Sequence, residues 1–126
     1  MPNHYHKYLG PEDKLQNAVM QYLSAQYPEV LAAHIPNEGK RTPFERFKFK
    51  YLGGKAGIPD VMVFSPRGEY VGLAIELKAG RNKMTEAQEK WLLELSENGW
   101  AAYCLNTFES CKEAIDKYFK SNRQIL

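Results

Sequence analysis

The chain has 126 residues, 44% of them hydrophobic and 25% charged, enough for one ordinary globular domain with a core of its own. No apolar run approaches the roughly 20 residues needed to span a bilayer, and the N-terminus Met1-Pro2-Asn3-His4 lacks a basic-then-apolar signal pattern, so an intracellular protein is expected. Net charge is only +2, but residues 40–83 hold ten basic side chains against four acids, leaving +6 there and −4 elsewhere, a polarity suited to a polyanion partner.

In chain order, a first helix is predicted from about Pro11 to Gln26. Pro11 suits the first turn, Glu12 and Asp13 favour the positive end of the dipole, and Leu15, Val19, Tyr22 and Leu23 line one face. Tyr27-Pro28 ends it. Val30–Ile35 reads as a short strand closed by Pro36. Arg46-Phe47-Lys48-Phe49-Lys50-Tyr51 alternates basic and aromatic residues, which in an extended chain puts charges on one face and rings on the other. Such a segment is either a solvated edge strand over a core or a strand facing phosphates. The loop Gly53-Gly54-Lys55-Ala56-Gly57 does not fit a phosphate-binding P-loop, since no Gly-Lys-Ser/Thr follows the required gap.

Two strands are predicted at Asp60–Ser65 and Tyr70–Lys78, joined by the turn-forming Pro66-Arg67-Gly68-Glu69. A helix from about Thr85 to Asn98 starts on a Thr85/Gln88 capping box, stops at Gly99, and buries Trp91, Leu92 and Leu95. Trp100–Leu105 reads as a strand. Thr107 to about Lys120 reads as a last helix with Cys111, Ala114, Ile115, Tyr118 and Phe119 inward. The order α-β-β-β-α-β-α, with an extra loop or ribbon after the first strand, predicts a single α/β domain over residues 1–126 with a mixed sheet flanked by helices. Cys104 and Cys111 show no metal or redox spacing and are expected to be reduced core thiols. His4, His6 and His34 have no partner at metal-ligand spacing and are read as surface or strand residues.

Within Gly72–Lys78, Leu73, Ile75 and Leu77 alternate with Ala74, Glu76 and Lys78. Charged residues in so apolar a strand call for an explanation. If the hairpin folds about Gly68, Asp60 lies opposite Glu76 on the antiparallel neighbour, and a one-residue slip would turn it to the other face. Opposed like charges are unfavourable, and a divalent cation relieves them. Two carboxylates, a main-chain carbonyl and waters suit Mg2+ or Mn2+, and such a centre can hydrolyse a phosphodiester, with Lys78 orienting water or stabilising negative charge. The competing structural reading is an ordinary Glu76–Lys78 ion pair at a strand end.

Gly57-Ile58-Pro59-Asp60, Ile75-Glu76-Leu77-Lys78 and Thr85-Glu86-Ala87-Gln88, in this order and spacing, resemble the VRR-NUC branch of the PD-(D/E)xK nuclease superfamily. The resemblance implies a restriction-endonuclease-like α-β-β-β-α-β core. It makes Asp60, Glu76 and the Leu77 carbonyl metal ligands, and Lys78 the catalytic lysine. It also implies a catalytic glutamine and a first-helix glutamate. Gln88 matches the former, although its capping role is an adequate alternative; Glu12 is the candidate for the latter, with Asp13 and Gln16 left open. Asn37 and Glu38 match a polar loop near the metal or the DNA. Lys40, Arg41, Lys48, Lys50, Lys55, Arg81 and Lys83 are the candidate DNA contacts. Stand-alone members suggest a homodimer cutting branched DNA such as four-way junctions, with or without an accessory protein. A monomeric flap nuclease or nickase, and a non-catalytic DNA-binding module, are the alternatives.

Overall fold

The computed structural model describes residues 3–36 and 41–121. A short 3-10 turn, His4–Tyr8, precedes α1 (Pro11–Gln26), then β1 (Ala32–His34), α2 (Pro43–Tyr51), β2 (Val61–Val63), β3 (Gly72–Leu77), α3 (Glu86–Glu97), β4 (Trp100–Leu105) and α4 (Phe108–Lys120). The strands form one sheet in the order β1-β2-β3-β4, antiparallel except for the β3–β4 pair, which is parallel and joined through α3. The anticipated mixed α/β sandwich is therefore the architecture.

Helix boundaries follow local chemistry. The Thr85 hydroxyl accepts the Gln88 N–H at 3.2 Å while Gln88 Oε1 accepts the Thr85 N–H at 2.9 Å, fixing the start of α3. Thr107 caps α4 in the same manner, its hydroxyl accepting the Ser110 N–H at 3.1 Å.

One expectation fails. Residues 46–51 are not extended; they form most of α2. The reason is upstream, in Thr42-Pro43-Phe44-Glu45: Thr42 accepts the Glu45 N–H at 3.1 Å, and Glu45 Oε1 accepts the Thr42 N–H at 3.0 Å. Pro43 adds a preset φ in the first turn. This capping box nucleates a helix across a stretch whose alternation alone suggested a strand. The basic face of that strand does not exist.

The two faces of the sheet differ. Val61, Val63, Leu73, Ile75 and Leu77 pack beneath α1 and α4 with Val19, Leu23, Cys111, Ile115 and Tyr118. Met62 and Ala74 face Leu95, Trp91 and Trp100 on the other side. Every residue of β3 is buried, so its period-two pattern sorts two covered faces rather than core from solvent. Cys111 is buried as expected, but Cys104 is exposed. It sits on β4, paired in register with Glu76, at the edge of the sheet formed by the described residues. The expectation of two core thiols is thus half right.

The helical layer is locked by a polar contact. The Tyr22 and Tyr27 hydroxyls, from α1 and its C-cap, donate to Asp116 Oδ1 of α4 at 2.6 and 2.7 Å, and Lys112 Nζ lies 3.0 Å from Oδ2. These bonds, Tyr22 first, hold the Asp116 carboxyl down from its ordinary 3.8 to about 2. A depressed carboxylate stabilises the fold above its unfolded value and loses that stabilisation as pH falls through the folded one. Asp116→Asn is therefore expected to cost about 1–2 kcal/mol at neutral pH. Followed by thermal melts, the wild type should lose this advantage between pH 4 and pH 2, while the variant lacks that step. For the cysteines, a thiol reagent should modify one sulfhydryl per native chain, mapped to Cys104 by mass spectrometry, and both after denaturation.

Candidate active site

Asp60 stands one residue before β2. Since Val61 pairs with Ile75, the next register position sets Asp60 against Glu76. This is the geometry anticipated from a hairpin about Gly68, without the one-residue slip. The chain reaches Asp60 through Gly57, whose φ of +93° and whose contact with the main chain of Ala87 leave no room for a side chain: an added Cβ would lie 2.6 Å from the Ala87 carbonyl carbon. The loop entering β2 is thereby seated on the first turn of α3.

Asp60 is held at several atoms. Its Oδ2 accepts the Leu77 N–H at 2.8 Å. Its carbonyl oxygen accepts the Ile35 N–H at 2.8 Å and lies 2.9 Å from His34 Nδ1. A carboxylate tied to the main chain of the neighbouring strand cannot rotate freely, so the site is preorganised. Asp60 and Glu76 are only 4% and 1% exposed.

Lys78 follows β3 directly. Its N–H donates to the Leu105 carbonyl at 3.0 Å, which extends the parallel ladder past the strand end. The ammonium lies 4.0 Å from Glu76 Oε2, with the side chain 12% exposed. Those two atoms attract but are beyond hydrogen-bond length, unlike a closed ion pair. The three residues singled out from alternation are thus brought together at one end of the two central strands.

The three first-helix candidates are placed differently. Glu12 Oε1 accepts the Ala79 N–H at 3.2 Å and a hydrogen from Asn82 Nδ2 at 3.0 Å, so it grips the loop that carries Lys78 away from β3. Asp13 instead closes the helix start, accepting the Gly10 N–H at 2.9 Å. Gln16 lines a separate cleft of about 450 Å3 with His34 and Pro36. Beside the Glu12 contact lies an open cavity of about 410 Å3, bounded by Gly10, Pro11, Asp13, Ala79, Gly80 and Asn82. Gln88 is half-buried and serves as the α3 capping residue described above.

The candidate phosphate contacts disperse. Arg81 and Lys83 are exposed on the loop after β3, and Lys55 on the loop before β2. Lys48 and Lys50 are exposed on α2 rather than on a strand. The Arg41 guanidinium is engaged, 4.0 Å from the centre of the Phe49 ring. Arg67, counted in the basic segment, is buried beside Phe119 and contributes nothing to its surface. Lys40, Asn37 and Glu38 lie outside the described residues. His34 lies in β1, the strand placement read from sequence, but its contact with Asp60 and that of Asn82 with Glu12 are tertiary and leave no spacing signal.

The donor set fits a hard divalent cation: two buried carboxylates on adjacent strands, with a main-chain segment between Glu76 and Lys78. Among the described residues no three His, Cys, Asp or Glu side chains converge on one point. A cation held here would need its remaining ligands from main-chain oxygen, water or phosphate, as Mg2+ commonly has. No described helix is long and apolar enough to cross a membrane.

Comparison with known proteins bears on the family and the fold. The family model for the VRR-NUC domain matches residues 4–109. No curated protein matches the chain. A solved structure named "VRR_NUC domain protein" is similar at a TM-score of 0.77 and 30% identity, covering 91% of this chain and 93% of that one. A second, named "VRR_NUC domain", shares the fold at a TM-score of 0.59 and 19% identity, covering 87% of this chain and 99% of that one. With its matched residues running from the first turn into α4, the chain belongs to the VRR-NUC family of nuclease-type domains.

Proposed function

We propose that this chain is an Mg2+- or Mn2+-dependent endodeoxyribonuclease that cuts branched DNA, four-way junctions included, and works as a homodimer. The observation that carries the reading is the juxtaposition of buried Asp60 and Glu76 across the β2–β3 register, with the Lys78 ammonium 4.0 Å from Glu76. An ion pair serving stability alone gains little from a second buried carboxylate beside it.

Asp60, Glu76 and the Leu77 carbonyl would hold the cation. The chemistry it supplies when bound is neutralisation of phosphate charge and a more acidic water. Asp60 is kept in place by the Leu77 N–H and, through its own carbonyl, by Ile35 and His34. Lys78, in a mostly buried setting where charge acts more strongly than in water, orients the attacking water or stabilises the oxyanion of the phosphate. Glu12 is a positioning residue: by holding Ala79 and Asn82 it fixes the loop on which Lys78 sits. Gln88 Oε1 is committed to the Thr85 N–H, so its contribution to catalysis falls to its amide NH2.

Exposed Lys48, Lys50, Lys55, Arg81 and Lys83, with Lys40 and Arg41, contact phosphates without reading sequence. A dimer with paired sites suits a branched substrate larger than one such domain, and an accessory protein could deliver it. Labelled duplex, flap and four-way-junction DNA incubated with Mg2+ or Mn2+ tests the reading. The junction should be cut in the wild type, and Asp60→Ala and Lys78→Ala should each slow cutting by about 100-fold or more. Preference for flaps would favour the monomeric nuclease. DNA binding with no cutting in either metal would replace the enzyme with a binding module.

A further inference from the structure

Helix α2 turns its rings outward. Phe44, Phe47 and Tyr51 recur at spacings of three and four, which brings them to one side of a helix, and they are 67%, 62% and 77% exposed. The Phe47 and Tyr51 rings stack on one another, with centroids 5.8 Å apart and planes at 26°. No residue of the helix is buried. A surface helix ordinarily buries its apolar stripe against the domain, and a contiguous exposed apolar patch marks an interaction site.

The fourth ring is used locally: Phe49 lies against Gly54, just past the helix, where an added Cβ would fall 2.4 Å from the ring, and under the Arg41 guanidinium, just before it. This leaves Phe44, Phe47 and Tyr51 to solvent. Lys48 and Lys50, both exposed, flank this face along the helix, while the acid of the helix, Glu45, is committed to its N-terminal cap. An occupant must therefore be flat and apolar at its centre and anionic around it. Nucleobases on a phosphate backbone meet both conditions. A second copy of α2 would bring basic residues against basic residues.

We infer that the Phe44–Phe47–Tyr51 face of α2 is a stacking platform for unpaired bases of the DNA substrate. The inference rests on the nuclease reading and adds to it a base-contacting surface that is tolerant of sequence. From Tyr51 the chain runs through the Gly53–Gly57 loop, seated on Ala87, directly to Asp60. The substrates that expose such bases are single strands, flaps and junction centres.

Fluorescence anisotropy in EDTA tests the platform separately from cleavage. The ligands are an oligothymidine of about 15 nucleotides and a duplex of the same length. Phe47→Leu/Tyr51→Leu keeps apolar area but removes the stacking planes, and Phe47→Trp/Tyr51→Trp keeps them. The leucine protein should bind the single strand about ten-fold or more weakly, with duplex affinity nearly unchanged, and the tryptophan protein should bind like the wild type or tighter. Both sites are exposed, so circular dichroism should report an unaltered fold. Photocrosslinking of a 5-iodouracil oligonucleotide to the wild type should map to α2.

Equal single-strand affinity in all three proteins, with crosslinks elsewhere, would overturn the platform while leaving cleavage by Asp60, Glu76 and Lys78 untouched. Leucine-induced loss of self-association in sedimentation, or of binding to anionic lipid vesicles, with DNA affinity unchanged, would assign the face to a second copy or a membrane instead. Failure of the wild type to bind the single strand would sink this inference, while cleavage with Mg2+ or Mn2+ would still decide the nuclease reading.

Discussion

The 2.8 Å hydrogen bond from the Leu77 N–H to Asp60 Oδ2 joins the end of β3 to the entry of β2, and the proposed chemistry hangs on that junction. It takes up a donor at the point where the β2–β3 ladder runs out. In doing so it aims a carboxylate at the position across from Glu76. The His34 ring at the end of β1 and the N–H of Ile35 just after it hold the same residue, so three strands of the sheet agree on where Asp60 lies. Shifting the register by one residue would turn Asp60 away from Glu76 and reverse the apolar faces of β2 together. Core packing and site geometry are therefore enforced by the same pairing.

That arrangement brings two carboxylates into the interior at the end of an otherwise apolar strand. Val61, Ile75, Leu73 and Leu77 make the strand pair worth burying, and they bury Asp60 and Glu76 with it. Charged groups seldom occupy such positions unless compensated. The Lys78 ammonium lies 4.0 Å from Glu76. On the proposed reading, a divalent cation would neutralise the two carboxylates and in the same act supply the chemistry of the site.

Much of this was legible in the residues themselves. Pro11, the Thr85/Gln88 box, Gly99 and Thr107 mark the helix ends within a residue or so, because caps are local chemistry. The opposition of Asp60 and Glu76 follows from alternation and a hairpin, both short in range. Residues 46–51 misled because basic-aromatic alternation fits a strand, while Phe47 and Tyr51 fit a helix equally well at four-residue spacing. The Thr42–Glu45 capping box was the deciding signal, and it lies just outside the alternating run. Cys104 reads as apolar from its neighbours, yet β4 is an edge strand, and nothing in its own segment reveals which strand ends the sheet. Glu12 could be separated from Asp13 and Gln16 only by its contact with a loop 67 residues away.

The central claim is that Asp60 and Glu76 form one cation site, and thermal unfolding with and without Mn2+ addresses it without any substrate. A ligand that binds only the folded chain raises its melting temperature, by an amount that grows with concentration over the dissociation constant. The account predicts that Mn2+ raises the melting temperature of the wild type and leaves that of Glu76→Gln unmoved. It also predicts that Glu76→Gln without metal is at least as stable as the wild type, since it removes one of two opposed buried charges. An equal Mn2+ shift in both proteins, or no shift in the wild type, would contradict it.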